Sequence, residues 1–441
     1  MTTEPPPLHI AQAVLTTPQD ARAAFAWSGH LLEDQGFLKS LAWSRRSRFI
    51  APDGAPPWSR EAVVLWRLNR LGAAEVAARR SAILDPGFSS AWINLGAVMK
   101  RLGDDDRALR VYRRAEVTGA EPRAAGMNRA VIMLGAGNFR DGWPLYRNRH
   151  GALGAEPAAV WPDLAEWDGR AMPGRLRILA EQGIGDAIMF LTLMHGARRH
   201  VGAITLLVAP RLATLMRRSF PDVDIVAPDE RGQLPSLAPA AAWICSGDLP
   251  AVLGLFIDGD LRPRPYLQPD RRRTERLRAG IQRRSPSRRL VGVTWTSRAD
   301  DGWRRTIPPA LWRPLIDTPG IRLVSLQYGA SPGDLAAFGD GIECEHGIEP
   351  LSDIDGFATL VAAMDMVVSP PNNTVHFAGA LDVPCRVLLP EDPDWRWGRG
   401  GATSRWYHRT RLYRRSARTD WADMVARIAA ELMDPTLEHR S

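Results

Sequence analysis

The sequence predicts an array of paired α-helices followed by two doubly wound parallel α/β units. Three observations carry this. Tryptophan and proline recur 34 residues apart in the first third, at Trp58 and Trp92 and at Pro52 and Pro86. From about residue 175, short apolar runs alternate with helical stretches, the pattern of a parallel sheet flanked by helices. One basic, proline-containing stretch, PDRRRTERLRAGIQRRSPSRRL, interrupts the alternation, which then resumes.

At 441 residues the chain is long enough for two or three domains, each with its own core. Apolar content of 45% and charged content of 24% are those of a globular protein. No apolar run reaches the ~18 residues of a membrane span. MTTEPPPLHI lacks a basic region ahead of an apolar core, so no secretory signal and a cytoplasmic location are expected. Cys245, Cys344 and Cys385 lie far apart, without the spacing of a disulfide framework or a metal site. The net charge of +8 rests on arginine, since Lys39 and Lys100 are the only lysines. Such a surface suits phosphate-bearing partners, although arginine-biased coding gives the same excess. No basic stretch interleaves regularly with aromatics, so no nucleic-acid partner is expected.

A 34-residue period is that of the tetratricopeptide repeat. SSAWINLGAVMKRLGDDDRALRVYRRAE carries the pattern at Trp92, Leu95, Gly96, Gly103, Ala108, Tyr112 and Ala115. Small residues sit where two helices cross closely and large ones fill the gap between them. A degenerate earlier unit ends near Pro52, and AAGMNRAVIMLGAGNFRDGWPLYRNRH reads as a final pair. Residues 1–150 therefore read as stacked helix pairs, whose product is a concave groove or a plain scaffold. Residues 151–174, rich in Pro, Gly and Ala, read as a linker.

Residues 175–280 read as the first α/β unit, with strands at 176–180, 204–209, 223–227 and 241–246. Residues 281–441 read as the second, with strands at 290–295, 321–327, 342–344, 366–369 and 385–389. Helices are expected around 308–317, 355–364, 374–381 and 420–433. Two such units joined by a linker place a ligand cleft between their strand carboxyl ends.

Four stretches could carry chemistry. In ILAEQGIGDAIMF, Gly183 and Gly185 allow a sharp backbone turn and close approach to a ligand, and Asp186 stands at a helix entrance. By spacing alone Asp186 is a helix cap, and the glycine pair falls short of a dinucleotide-binding GxGxxG. In VGVTWTSRADDGWRRTIP, Thr296, Ser297, Arg298, Arg304 and Arg305 follow a strand and form either a phosphate-holding loop or a solvated one. In MVVSPPNNTVHFAGALDVP, Asn372, Asn373 and Thr374 open a small-residue helix that carries His376 and Gly379. That helix start is an anion site or a plain cap, and His376 a ligand contact or a core histidine. In PEDPDWRWGRGGATSRWYH, Trp395, Trp397, Trp406 and Tyr407 offer stacking faces and several arginines offer contacts to phosphate, or the stretch is cleft-wall packing.

In this order, GNFRDGWPLYRNRH, WDGRAMPGRLRILAEQGIGDAIMF, VGVTWTSRADDGWRRTIP, GFATLVAAMDMVVSPPNNTVHFAGALDVP and PDWRWGRGGATSRWY resemble one family. Its members are bacterial proteins with N-terminal tetratricopeptide repeats and a C-terminal heptosyltransferase-like glycosyltransferase of the GT-B fold. The resemblance implies two Rossmann-like domains, with the acceptor on the first and a nucleotide-sugar donor on the second, and needs no metal or other cofactor. It implies Asp186 as the base that takes the acceptor hydroxyl's proton in an inverting transfer. Arg304 or Arg305 would hold donor phosphate, and the helix entered at Asn372–His376 would stabilise the departing nucleotide.

One departure stands out. Family members have Ser-x-Asp-Thr before the histidine helix, where this chain has Ser369-Pro370-Pro371-Asn372, so Pro371 replaces an acid that contacts substrate. A variant of this kind resembles repeat-bearing flagellin glycosyltransferases, which put a nonulosonic sugar on a protein. The alternatives are a non-catalytic adaptor with a relic or ligand-sensing GT-B unit, motivated by Pro371, and a lipopolysaccharide-type transferase, against which the repeats argue.

Overall fold

The computed structural model describes residues 16–434 apart from 18, 35, 119–120, 153–160, 258–261, 287, 298–301 and 346. The chain divides into two units, Met1–Glu156 and Pro157–Ser441. Among the described residues no helix is long and apolar enough to cross a membrane.

In the first unit the 34-residue period is physical. First helices of successive pairs begin at Ala21, Ala55 and Ser89, and second helices at Phe37, Leu71, Asp105 and Phe139. The unit that reads as degenerate in sequence is a complete pair, Ala21–Glu33 with Phe37–Ile50. Hydrogen bonds recur at the same interval. Trp58 Nε1 donates to the Pro52 carbonyl at 3.1 Å, and Trp92 Nε1 to that of Pro86 at 2.9 Å. Ser47 Oγ donates to the Ala21 carbonyl at 2.7 Å, and Ser81 Oγ to that of Ala55 at 2.8 Å. Each repeated indole ties down the turn before its own helix, and each repeated serine pins the end of a second helix to the start of a first.

Two parallel sheets make up the second unit. The first holds β1 (Ala165–Glu166), β2 (Met172–Leu179), β3 (Val201–Leu207), β4 (Asp224–Val226) and β5 (Ala242–Cys245), in the order β1-β5-β2-β3-β4. The second holds β6 (Arg289–Val293), β7 (Ile321–Ser325), β8 (Ile342–Glu343), β9 (Met366–Ser369), β10 (Cys385–Leu389) and β11 (Thr410–Arg414), in the order β11-β10-β9-β6-β7-β8. Val291, Val293, Met366 and Val368 pack under Trp295, Trp312 and the C-terminal helix Trp421–Met433. In each sheet the chain runs outward one way and then returns to the other side of the starting strand. This puts a switch point between β2 and β5 and another between β6 and β9, where such sheets bind ligands.

Three expectations need correction. The stretch expected as a linker, 151–174, supplies β1, which pairs with β5, and the start of β2. β11 follows Tyr407 as a further strand, paired with β10. The basic stretch is mostly the helix Arg271–Arg284, capped by Asp270. Its arginines pair with acids flanking the second sheet: Arg273 with Asp353 at 2.7 Å, Arg278 with Asp365 at 2.7 Å, and Arg284 with Glu343. The expected boundary at 280/281 therefore belongs ahead of this helix.

Gly96 tests the repeat packing, because a Cβ there would lie 2.5 Å from Tyr112 Cε1. Helix propensity alone would make Gly96→Ala stabilising by ~1 kcal/mol, whereas overpacking costs about 1–3 kcal/mol. We expect a net loss in urea unfolding; a more stable variant would contradict the close crossing.

Candidate functional site

The cleft is built by strand order. β6 and β9 are neighbours, so the loops that follow them leave the sheet side by side. Thr294 and Ser369, at their ends, share a hydrogen bond of 2.6 Å. Asn372 joins the two loops by donating from Nδ2 to Thr294 Oγ1 at 2.9 Å and to the Thr296 carbonyl at 3.1 Å. Its Oδ1 accepts from Thr374 N at 3.0 Å and caps the helix Asn373–Ala380. From the first sheet, β2 leads into the helix Ile184–Leu191, whose start lies against that of the Asn373 helix. A Cβ on Gly185 would come within 2.6 Å of Asn373 Oδ1 and 2.9 Å of His376 Cδ2. Between the two sheets lies a cavity of about 460 Å³, bordered by Asp186, Arg305, Asn373, His376 and Arg396 on its polar side. Leu351, Ile354, Phe357 and Phe377 border its apolar side. Its size and mixed lining suit a small organic anion.

The structure sorts the sequence candidates. Gly183, Gly185, Asp186, Ser297, Arg305, Asn372, Asn373 and His376 all border this cavity. Thr296, Arg304 and Thr374 do not. Thr296 Oγ1 bonds Thr306 Oγ1 at 2.8 Å and its N–H goes to Gln327 Oε1 at 3.0 Å, so it fixes the loop. Arg304 Nη2 donates to the Asp392 carbonyl at 3.3 Å. Thr374 is fully buried, and its hydroxyl has no hydrogen-bond partner among the described residues. Arg298 lies outside the described residues.

The turn before Asp186 also differs from expectation. The left-handed residue is Gln182, at φ 66°, while Gly183 is extended and caps the helix by its backbone alone. Gly185 is needed for close approach and not for turning. Asp186, in the first turn, is no cap; its Oδ1 accepts from Arg396 Nη2. The aromatic stretch packs the cleft wall. Trp395, Trp397, Trp406 and Tyr407 are all buried, and Trp397 stacks on His376 with centroids 5.7 Å apart.

Arg396 and Asp394 also border the cavity; the sequence offered the arginines of this stretch to phosphate but singled out neither residue. Asp394 Oδ1 accepts from Arg396 Nη1 at 2.6 Å and from its backbone N–H at 3.1 Å. Burial opposes the charged form of Asp394, but Arg396, with Arg305 behind it, prevails and holds the carboxyl below its usual range. His376 is held uncharged instead. Burial, aided by Arg396 and opposed by Asp186 and Asp394, lowers its pKa to about 4, so it is neutral at pH 7. Its Nδ1 shares a hydrogen bond of 2.9 Å with the Tyr407 hydroxyl, whose own proton burial holds firmly.

The first unit has a separate groove of about 330 Å³. Phe25, Ser59 and Ile93, again 34 residues apart, line it together with Arg60 and Asn94. Asn94 Nδ2 donates to Ser59 Oγ at 2.7 Å, and the Arg60 guanidinium lies 4.8 Å from the Phe25 ring centroid.

No protein-family model matches the chain. It is similar to Protein FlbA of Caulobacter vibrioides, 29% identical over 408 residues, which cover 87% of this chain and 68% of that protein. Among solved structures, the crystal structure of MamA matches 34% of this chain and 88% of its own, at 13% identity and a TM-score of 0.30. A thermophilic TPR protein in Thermus thermophilus matches 34% of this chain and 81% of its own, at 18% identity and a TM-score of 0.31.

The neutral histidine has a measurable consequence. As pH falls from about 6.5 to about 4, the unfolded chain takes up a proton at His376 that the folded chain refuses. Stability is therefore lost across that window, by on the order of 3 kcal/mol for this group. In urea unfolding at pH 7 and at pH 4.5, His376→Gln should lose less stability on acidification than the parent. Equal losses would place the acid sensitivity elsewhere.

Proposed function

We propose that the protein is a glycosyltransferase that moves a sugar from a nucleotide-sugar donor to a protein acceptor recruited by the helical repeats. The observation that carries this reading is one cavity bordered by Asp186 from the first sheet and by Arg305 and the Asn373 helix start from the second. Charge complementarity follows from the parts. An eight-residue helix, its Thr374 N–H held by the Asn372 cap, turns the positive end of its dipole to the cavity at Asn373. Arg305 adds a guanidinium beside it, and Ser297 a hydroxyl. Phosphate oxygens are the anions such a corner receives, and the apolar side formed by Ile354, Phe357 and Phe377 suits the rest of a nucleotide.

The transfer then balances as follows. The acceptor hydroxyl oxygen bonds the anomeric carbon while that carbon's bond to the donor phosphate oxygen breaks. The hydroxyl proton passes to the Asp186 carboxylate, and the electron pair of the broken bond leaves on the phosphate, stabilised by Arg305 and the helix start. Holding both reactants in one cleft supplies proximity. The repeat groove is the recruiting surface in this reading, and a flagellin-type protein is the acceptor to test. At the loop where the resembled family has an acid, Pro371 offers its carbonyl to Arg305 Nη1 at 3.3 Å, so the sugar contact there differs from a heptose contact.

Thermal unfolding against UDP, ADP, GDP and CMP tests the donor site. One nucleotide at about 100 times its Kd should add about 2.7 kcal/mol of stability, and Arg305→Ala should abolish the gain. No gain with any nucleotide would favour the adaptor reading. Asp186→Ala should lower transfer by about 10²–10⁴-fold while the variant stays folded and still binds nucleotide. Undiminished transfer would remove Asp186 from the chemistry.

A further inference from the structure

Arg396 borders the cavity, yet neither the proton transfer to Asp186 nor the departure of the phosphate uses it. Its side chain is held on three sides. It belongs to the one-turn helix Trp395–Trp397, capped by Asp394, whose carboxylate takes both its Nη1 and its backbone N–H. Its guanidinium lies 4.5 Å from the Trp395 ring centroid. These contacts come from its own segment of the second sheet and fix the fork in place. A further direction, Nη2, goes to Asp186 Oδ1 on the helix from the first sheet.

The two carboxylates are therefore held unequally. Asp394 is bound twice by a near neighbour in sequence, whereas Asp186 is joined to Arg396 by one hydrogen bond across the cleft. The charged groups lining the cavity are Arg211, Arg305 and Arg396 against Asp186 and Asp394, with His376 neutral at pH 7. A phosphate entering beside Arg305 brings a second anion within reach of a guanidinium that Asp186 already uses. Charge-assisted bonds from one arginine to two anions compete when the donor directions are limited.

We propose that Arg396 is a counter-ion shared between Asp186 and the donor's phosphate. In the ligand-free protein it masks the Asp186 carboxylate. Donor phosphate takes over Nη2, and the carboxylate is thereby freed to accept the acceptor's proton. The base is exposed only after the donor has bound, which imposes an order on the two substrates and protects the ligand-free cleft from idle acid–base chemistry. This rests on the glycosyl-transfer reading given above and adds to it a positioning residue and a binding order.

The test is nucleotide affinity by calorimetry, with UDP, ADP, GDP and CMP as probes and no acceptor or turnover required. Asp186→Asn keeps the shape and removes the competing charge, so the nucleotide that the parent binds should bind about three- to tenfold more tightly. Arg396→Gln should weaken it, and the double variant Asp186→Asn with Arg396→Gln should bind no better than Arg396→Gln alone. Unchanged or weaker binding by Asp186→Asn would overturn the shared counter-ion while leaving the donor site standing. So would a gain that persists in the Arg396→Gln background, since that is plain repulsion between two anions. A folded parent that binds none of the four nucleotides would overturn the donor reading itself and the counter-ion with it.

Discussion

Two helix starts meet in this molecule with no room for a side chain between them. Gly185, in the first turn after β2, faces Asn373 and His376, in the first turn after β9, at a separation that a single methyl group would violate. A parallel sheet sends the starts of its following helices to its carboxyl edge. Two such edges that approach at their helix starts enclose whatever lies beside the contact. The cavity exists because of this arrangement, and so does the sign of its lining. Helix starts carry exposed N–H groups and positive dipole ends, and the guanidiniums of Arg305 and Arg396 add to them. A second line of contact steadies the arrangement: Arg218, on the helix Pro210–Ser219, pairs with Asp355 on the helix Ile354–Ala362.

Around this contact the polar side chains divide into those that build and those that face the cavity. Asn372, Thr294, Thr296 and Gln327 spend their hydrogen bonds on one another and on the loop backbone, which is how two loops become a fixed surface. His376 is locked between Trp397 and Tyr407 and kept uncharged. The groups that face the cavity include Asp186, Arg211, Arg305, Arg396, Ser297 and the start of the Asn373 helix.

The fold was legible in the sequence wherever burial writes a period. The 34-residue recurrence of Trp58 with Trp92 reflects one indole-to-carbonyl bond made twice. The apolar runs around Ile178, Val291 and Val367 are central strands, and those around Val291 and Val367 are buried on both faces. Illegible elements lacked such a period. β1 has two exposed residues at a sheet edge, and β11 sets only two adjacent apolar residues, Leu412 and Tyr413, between arginines. The helix Arg271–Arg284 buries only Ile281, and its order comes from acids far along the chain, Asp353, Asp365 and Glu343. The site followed the same rule. Asp186, Arg305, Asn372 and His376 sit in turns whose residue types advertise them. Thr296 and Arg304 have the same types but are used internally. Arg396 was not singled out because its meaning depends on an aspartate 210 residues away, and no local pattern records such a pair.

The central claim is that the switch-point cavity beside Gly185 holds the phosphates of a nucleotide. A crystal structure with the bound nucleoside diphosphate tests it most directly. Phosphate oxygens are expected beside Asn373 at the start of its helix and within hydrogen-bond reach of the Arg305 guanidinium, with Asp186 facing the open space beyond. A nucleotide bound with its phosphates away from both would contradict it.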